Sequence, residues 1–177
     1  MGFSSGFAPL AGAQVRLVIL GSLPGRASLA AGQYYAQPRN AFWPLMGALF
    51  DAGPAVAYPE RVQRLVRQGI AVWDVCAAAR RAGSLDAAID RSSVRVNDFA
   101  AFFAARGDIL QLAFNGLAAA ELYRRRVLPG LGSRWAALPR LTLPSTSPAH
   151  AAMPFAEKLR RWSVLQQVTG GRPVEPN

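Results

Sequence analysis

The sequence predicts a three-layer α/β/α domain with a central, mostly parallel four-stranded sheet. Three observations predict it. Four short apolar runs are separated by segments with helical spacing, and each run ends at a break rich in Gly, Pro, Asn or Asp. Strands that alternate with helices build parallel sheets covered on both faces.

The elements run in order along the chain. Val15–Leu20 reads as the first buried strand, with a helix after it on which Phe42, Leu45, Met46 and Leu49 share one face. Val62, Leu65 and Val66 mark a second helix, and Ile70–Trp73 is the next strand. Asp98–Arg106 is helical in pattern, Ile109–Phe114 is the third strand, and Leu117–Val127 is another helix. Arg140–Leu143 is the fourth strand. Pro154–Val168 closes the domain with Phe155, Leu159, Trp162 and Leu165 in register. Neither a repeat nor a low-complexity linker interrupts this order, so residues 1–177 read as one domain with its core at about 15–168. Residues 1–13 and 170–177 read as loosely held ends.

Composition narrows the chemistry. Of the 177 residues, 51% are hydrophobic and 17% charged, and there is one Cys and one His. One Cys excludes an internal disulfide framework, a four-Cys zinc site and an iron–sulfur cluster. One His excludes most His-based metal cages, so no metal and no cofactor is expected. Lys and Arg number 20 against 10 Asp and Glu, a formal charge of +10 with a pI near 11.3. Lys158 is the only lysine, so GC-rich codon usage accounts for the choice of Arg over Lys. It does not account for the shortage of acids, and a polyanionic partner such as nucleic acid is the expectation. No uncharged apolar stretch reaches 18 residues, the N-terminus lacks a signal-peptide pattern, and Gly at position six spoils a myristoylation site at Gly2. A cytoplasmic protein with no membrane partner, monomeric and acting at the nucleoid, is expected.

The residues just past each strand are more specific. Gly21-Ser-Leu-Pro-Gly25 comes after the first, Asp74 after the second, Asn115-Gly116 after the third, and Pro144-Ser-Thr-Ser-Pro-Ala-His150 after the fourth. In open parallel sheets the ligand crevice lies at the carboxyl ends of the strands, so four loops predict one site. The Gly21–Gly25 turn lacks the dinucleotide, phosphate-loop and nucleophile-elbow spacings. Gly32-Gln-Tyr-Tyr-Ala-Gln-Pro-Arg-Asn-Ala-Phe-Trp43 gathers aromatics, amides and an Arg before a helix, residues suited to stacking on a nucleobase and reading its edge. Asn40 also stands where a helix cap would. Asn115 is either a turn residue or an amide aimed at a base edge. Ser145, Thr146 and Ser147 lie between prolines, placed to hold a phosphate or to cap the last helix. Arg124-Arg125-Arg126 reads first as a solvated helix end.

Together these motifs resemble the uracil-DNA glycosylase superfamily across most of residues 15–165. Gly21-Ser-Leu-Pro-Gly25 is similar to its water-activating loop, and Gln37-Pro-Arg-Asn-Ala-Phe-Trp43 to the His-Pro-x-Asn-x-Phe-Trp segment of mismatch-specific uracil glycosylases. Asn115 matches the strand-end Asn that reads the flipped base, and Pro144–His150 matches the loop that presses on the DNA backbone. Tyr34-Tyr35, Pro-Arg-Asn and Ser-Thr-Ser-Pro most resemble the DNA-deoxyinosine (hypoxanthine-DNA) glycosylase branch. Three departures stand out. Leu23 replaces the Asn or Asp of uracil-removing relatives, Ser145 replaces a His or Asn, and Gln37 replaces a His.

The resemblance implies a monofunctional DNA N-glycosylase acting on DNA with a deaminated base, foremost hypoxanthine. It assigns catalysis to Asn40, and base binding to Ser22, Leu23, Gly25, Phe42 (stacking) and Asn115. Gly25 leaves a space that a tyrosine closes in uracil-specific enzymes. Ser145, Thr146, Ser147 and His150 would hold the DNA backbone. The alternatives are a uracil or G:U/T mismatch glycosylase, a catalytically weak nucleic-acid-binding protein, and a Ser hydrolase using His150.

Overall fold

The structure, a computed structural model, describes residues 3–170. In chain order the strands are β1 (Phe3–Ser5), β2 (Leu17–Gly21), β3 (Ile70–Asp74), β4 (Cys76–Arg80), β5 (Arg95–Val96), β6 (Gln111–Asn115) and β7 (Arg140–Leu143). The helices are α1 (Arg26–Ala31), α2 (Phe42–Phe50), α3 (Tyr58–Arg67), α4 (Phe99–Ala104), α5 (Leu117–Arg126), α6 (Ser133–Ala136), α7 (Phe155–Trp162) and α8 (Gln166–Thr169).

Every residue of β2 and β3 is buried. Strands covered on both faces have no polar side to show, which is why they read as continuous apolar runs. The main sheet has the order β3-β2-β6-β7 and all its pairings are parallel. Leu17 pairs with Ile70 and Gln111, Gly21 with Asp74, and Asn115 with Leu143. This register brings Gly21, Asp74, Asn115 and Leu143 to one edge of the sheet. The expected four-stranded parallel sheet between helical layers is therefore present.

A second sheet, β1-β4-β5, is antiparallel and was not legible. Its strands are two to five residues long, and Cys76–Arg80 is mostly alanine, too little for a period-two signal. It also corrects the expectation of a loose end at residues 1–13, of which 3–13 are described. Phe3 sits with its ring between the guanidinium groups of Arg80 and Arg95, each 5.3 Å from the centroid, and the Leu10 N–H donates to the Val72 carbonyl at 2.9 Å. Of the other expected loose end, residues 171–177 lie outside the described residues. The expected helix Pro154–Val168 is broken into α7, a 3-10 turn at Ser163–Leu165, and α8. Ser163 Oγ donates back to the Arg160 carbonyl at 2.8 Å, a side-chain bond that tightens a helix end.

Two buried tryptophans fix the layers around the strand ends. Trp162 is fully buried and donates from Nε1 to the Pro144 carbonyl at 3.0 Å, tying α7 to the loop after β7. Trp43 donates from Nε1 to the Tyr34 carbonyl at 2.8 Å, tying α2 to the loop before it.

Candidate active site

A cavity of about 730 Å³ opens at the carboxyl edge of the main sheet, within the usual range for small-molecule sites. Gly21–Gly25, the Tyr34–Asn40 loop, Asp74, Asn115 and Ser145–His150 all border it. The four strand-end loops thus meet as expected. A further segment, Ser84–Ala87, crosses from the small sheet and has no signal in the sequence.

The Gly21–Gly25 loop is held from that side. Ser22 Oγ donates to Asp86 Oδ1, and the Arg81 guanidinium donates to the Leu23 carbonyl at 3.2 Å and to the Pro24 carbonyl. Arg81 is itself buried, and burial pushes its guanidinium down in pKa against the pull of Asp86 and Asp74. Leu23 is buried and offers only alkyl surface. Gly25 is different. A Cβ there would meet only Ser84, in ordinary van der Waals contact at 3.6 Å, so a methyl group would fit at this position without displacing a neighbour. Asp86 and Arg81 lie about sixty positions from their partners, and no local pattern could have found them.

Tyr34 and Tyr35 are held in different ways. The Tyr34 hydroxyl donates to the Ala8 carbonyl at 3.1 Å and its N–H donates to the Tyr58 hydroxyl at 3.0 Å, so Tyr34 belongs to the core. Tyr35 comes next with φ of +54°, a left-handed conformation rare for a bulky residue. That turn lays its ring flat on Phe42, with centroids 4.0 Å apart and planes 22° from parallel. Phe42 is fully buried, pressed edge-on by Trp43 and Trp162, and does not reach the cavity. The expectation that Phe42 stacks on the base is corrected. Tyr34 and Tyr35 both border the cavity, and Phe42 supports the Tyr35 ring from behind. Two adjacent aromatics in a loop signalled a stacking residue but not which one.

Asn40 borders the cavity in a divided state. Its Oδ1 accepts from the Phe42 N–H at 3.0 Å, a turn bond formed one residue ahead of the α2 N-cap, which is Ala41 rather than Asn40. Its Nδ2 makes no hydrogen bond among the described residues, leaving two donors beside the cavity.

Asn115 and Thr146 exchange two bonds. The Asn115 Nδ2 donates to Thr146 Oγ1 at 2.8 Å, and the Thr146 N–H donates to Asn115 Oδ1 at 2.9 Å. The Thr146 carbonyl also accepts from the Ala41 N–H at 2.9 Å. Thr146 is 1% exposed, so the expectation that it holds a DNA phosphate is corrected: it locks β6, the Ser145–Ser147 loop and the start of α2 together. Outside that pair the Asn115 amide faces the Tyr35 hydroxyl and pulls its pKa down against the larger rise from burial. Ser145 and Ser147 are half-buried and His150 is exposed, all at the cavity. Ser147 Oγ accepts from the Ala149 N–H at 3.2 Å, and the buried Lys158 donates to the His150 carbonyl at 3.0 Å, which fixes the turn. Arg124–Arg126 sit at the far end of α5, which starts at the cavity beside Asn115. Arg125 pairs with Glu121 at 2.8 Å, in keeping with a solvated helix end.

A pocket of this kind, at the strand ends of a parallel sheet in an Arg-rich chain, is the arrangement of an enzyme that excises bases from DNA. The chain belongs to the uracil DNA glycosylase superfamily, whose family model matches residues 9–166. It is similar to the hypoxanthine DNA glycosylase of Methanosarcina barkeri (strain Fusaro), with 33% identity over 117 residues, 66% of this chain and 73% of that protein. The hypoxanthine DNA glycosylase of Methanosarcina acetivorans is also 33% identical, over 76% of this chain and 83% of that protein. A solution NMR structure from Methanosarcina acetivorans, of a protein provisionally named a uracil DNA glycosylase, superposes with a TM-score of 0.74. It is 28% identical and covers 93% of this chain and 99% of its own. No helix among the described residues is long and apolar enough to cross a membrane.

Proposed function

We propose that this glycosylase hydrolyses the N-glycosidic bond of a flipped deoxyinosine, releasing hypoxanthine and leaving an abasic site. The observation that carries the choice of base is Gly25, which lines the cavity without a side chain and where a Cβ would meet only Ser84. A two-ring base needs that room. The two relatives named hypoxanthine DNA glycosylases support the same reading.

Extrusion of the nucleotide costs a few kcal/mol, least for a mispaired base such as inosine. The bond then breaks toward an oxocarbenium ion, and negative charge grows on the departing base. Donors preorganised toward that charge lower the barrier. The Asn40 Nδ2 group supplies them, while its Oδ1 holds the side chain in place through Phe42. Tyr35 stacks on the base, and the Asn115 amide, held between Thr146 and the Tyr35 hydroxyl, reads its edge. Ser22, Leu23 and Gly25 shape the floor, and Ser145, Ser147 and His150 face the DNA backbone. The reading assigns no metal to the reaction, so a chelator should leave it unchanged. It takes the chain as one domain working as a cytoplasmic monomer.

The test is a set of labelled duplexes carrying a single inosine, uracil or xanthine, incubated under single-turnover conditions and then cleaved at abasic sites with alkali. Inosine should be processed fastest. A clear preference for uracil would overturn the assignment of the base.

A further inference from the structure

Asp74 is a carboxyl group with no part in the contacts assigned to Asn40, Tyr35 and Asn115. It ends β3 beside Gly21, is 3% exposed, and borders the same cavity as Asn40 and Asn115. Its Oδ2 is buried with no hydrogen-bond partner among the described residues. Buried carboxyl oxygens are almost always paired, and a lone one in a pocket marks a group held ready for a ligand. The main chain at Asp74 is anchored separately, by Asn97 Nδ2 donating to its carbonyl at 2.8 Å. Of the neighbouring ions, Arg81 binds the carbonyls of Leu23 and Pro24 while its Nε has no partner among the described residues, and Asp86 accepts from Ser22.

The charged or titratable groups that face Asp74 are Asp86, Arg81, Tyr34, Tyr35 and Cys76. Burial first, and the charge of Asp86 second, push the Asp74 carboxyl up to about 7 against the pull of Arg81. Tyr34, Tyr35 and Cys76 are pushed up as well, by burial above all, and stay neutral. Asp74 and Asn115 flank the end of β2 on opposite sides. A base read by Asn115 on one polar edge therefore has a second acid-facing edge available to it.

We propose that Asp74, in its protonated form, is the general acid that protonates N7 of the flipped hypoxanthine as the N9–C1′ bond breaks. The proton passes from the carboxyl to N7, the electron pair of the broken bond stays on N9, and the base leaves neutral. Water adds to the C1′ cation and its surplus proton returns to the Asp74 carboxylate, which restores the enzyme. A carboxylic acid kept neutral by an apolar site is a known device for such donation. The step rests on the hypoxanthine reading, because uracil has no N7.

The experiment measures single-turnover release from inosine DNA by the wild-type chain and by Asp74→Asn, between about pH 5.5 and 8.5. A second substrate, 7-deazadeoxyinosine DNA, carries a carbon at position 7. The wild-type rate on inosine should fall as pH rises through about 7. Asp74→Asn should be slower by about 10²-fold and flat with pH. The wild-type chain should lose about the same factor on the 7-deaza base, with no further loss when both changes are combined. The 7-deaza arm needs no variant, so it decides the matter even if Asp74→Asn fails to fold. Equal rates on inosine and its 7-deaza analogue, or a pH profile of Asp74→Asn like the wild type's, would overturn the acid role and leave the function standing. A wild-type chain that releases uracil but no hypoxanthine would overturn both.

Discussion

The Tyr35 ring lies 4.0 Å from Phe42 and nearly parallel to it, while its own backbone is held at φ +54°. A non-glycine residue in this region stores strain of about 1–3 kcal/mol, and such strain gathers at functional sites. The stack on a fully buried Phe42 is what holds it. Each ring then has its own phenotype. Phe42→Ala should destabilise the fold by about 3–5 kcal/mol, the usual range for a buried Phe. Tyr35→Ala should keep most of the stability and slow hypoxanthine release. Thermal melting and single-turnover rates on both variants check the division.

The bare Gly25 lining of the cavity predicts a change of base preference. In Gly25→Tyr the added ring must occupy the space that faces Ser84. Release of hypoxanthine should drop by at least about tenfold, since a misfit in a pocket is worth roughly 1–3 kcal/mol. Uracil release should change less. Competition between inosine and uracil duplexes for one limiting enzyme would show a rising uracil share.

Arg26 and Arg39 stand exposed at the cavity mouth and take part in no ion pair among the described residues. As phosphate contacts, each should add about 0.9 to the log–log slope of DNA affinity against salt. Arg26→Ala and Arg39→Ala should each flatten the slope by about that amount for any sequence. An unchanged slope would return these charges to the background of Arg usage.

Asp74 should also leave a mark on stability. Its folded-state pKa is raised from the ordinary 3.8 to about 7. The native state therefore holds a proton that the unfolded chain has already lost between those values. This contribution is full below about pH 3.8, declines as pH rises, and is gone above about 7. The melting temperature should fall between about pH 4 and 7, and Asp74→Asn should remove that part of the decline.

Much of the site was legible because its positions derive from strand ends. β2 and β3 are buried on both faces and read as unbroken apolar runs, so the sequence alone places Gly21, Asp74 and Asn115 on one edge. Asn40 was legible from its place before α2. The facing of Tyr35 over Phe42 was not, because a single left-handed residue decides it and no periodicity reports that. The Thr146–Asn115 lock and the Arg81 and Asp86 contacts were also hidden, since they depend on pairings across 31 to 64 positions. Asp74 was visible as a strand-end residue, but only its unpaired burial distinguishes it from an ordinary turn.

The central claim is that Asn40 acts through its free Nδ2 donors rather than through the turn bond of its Oδ1. Asn40→Asp separates the two, because the carboxylate keeps an oxygen for the Phe42 N–H and loses both donors. The decisive measurement is its single-turnover release of hypoxanthine from inosine DNA, beside its melting temperature. The account predicts wild-type melting and release slower by about 10²-fold or more, the scale of a lost transition-state donor. Wild-type melting with near wild-type release would contradict it and leave Asn40 as a turn residue.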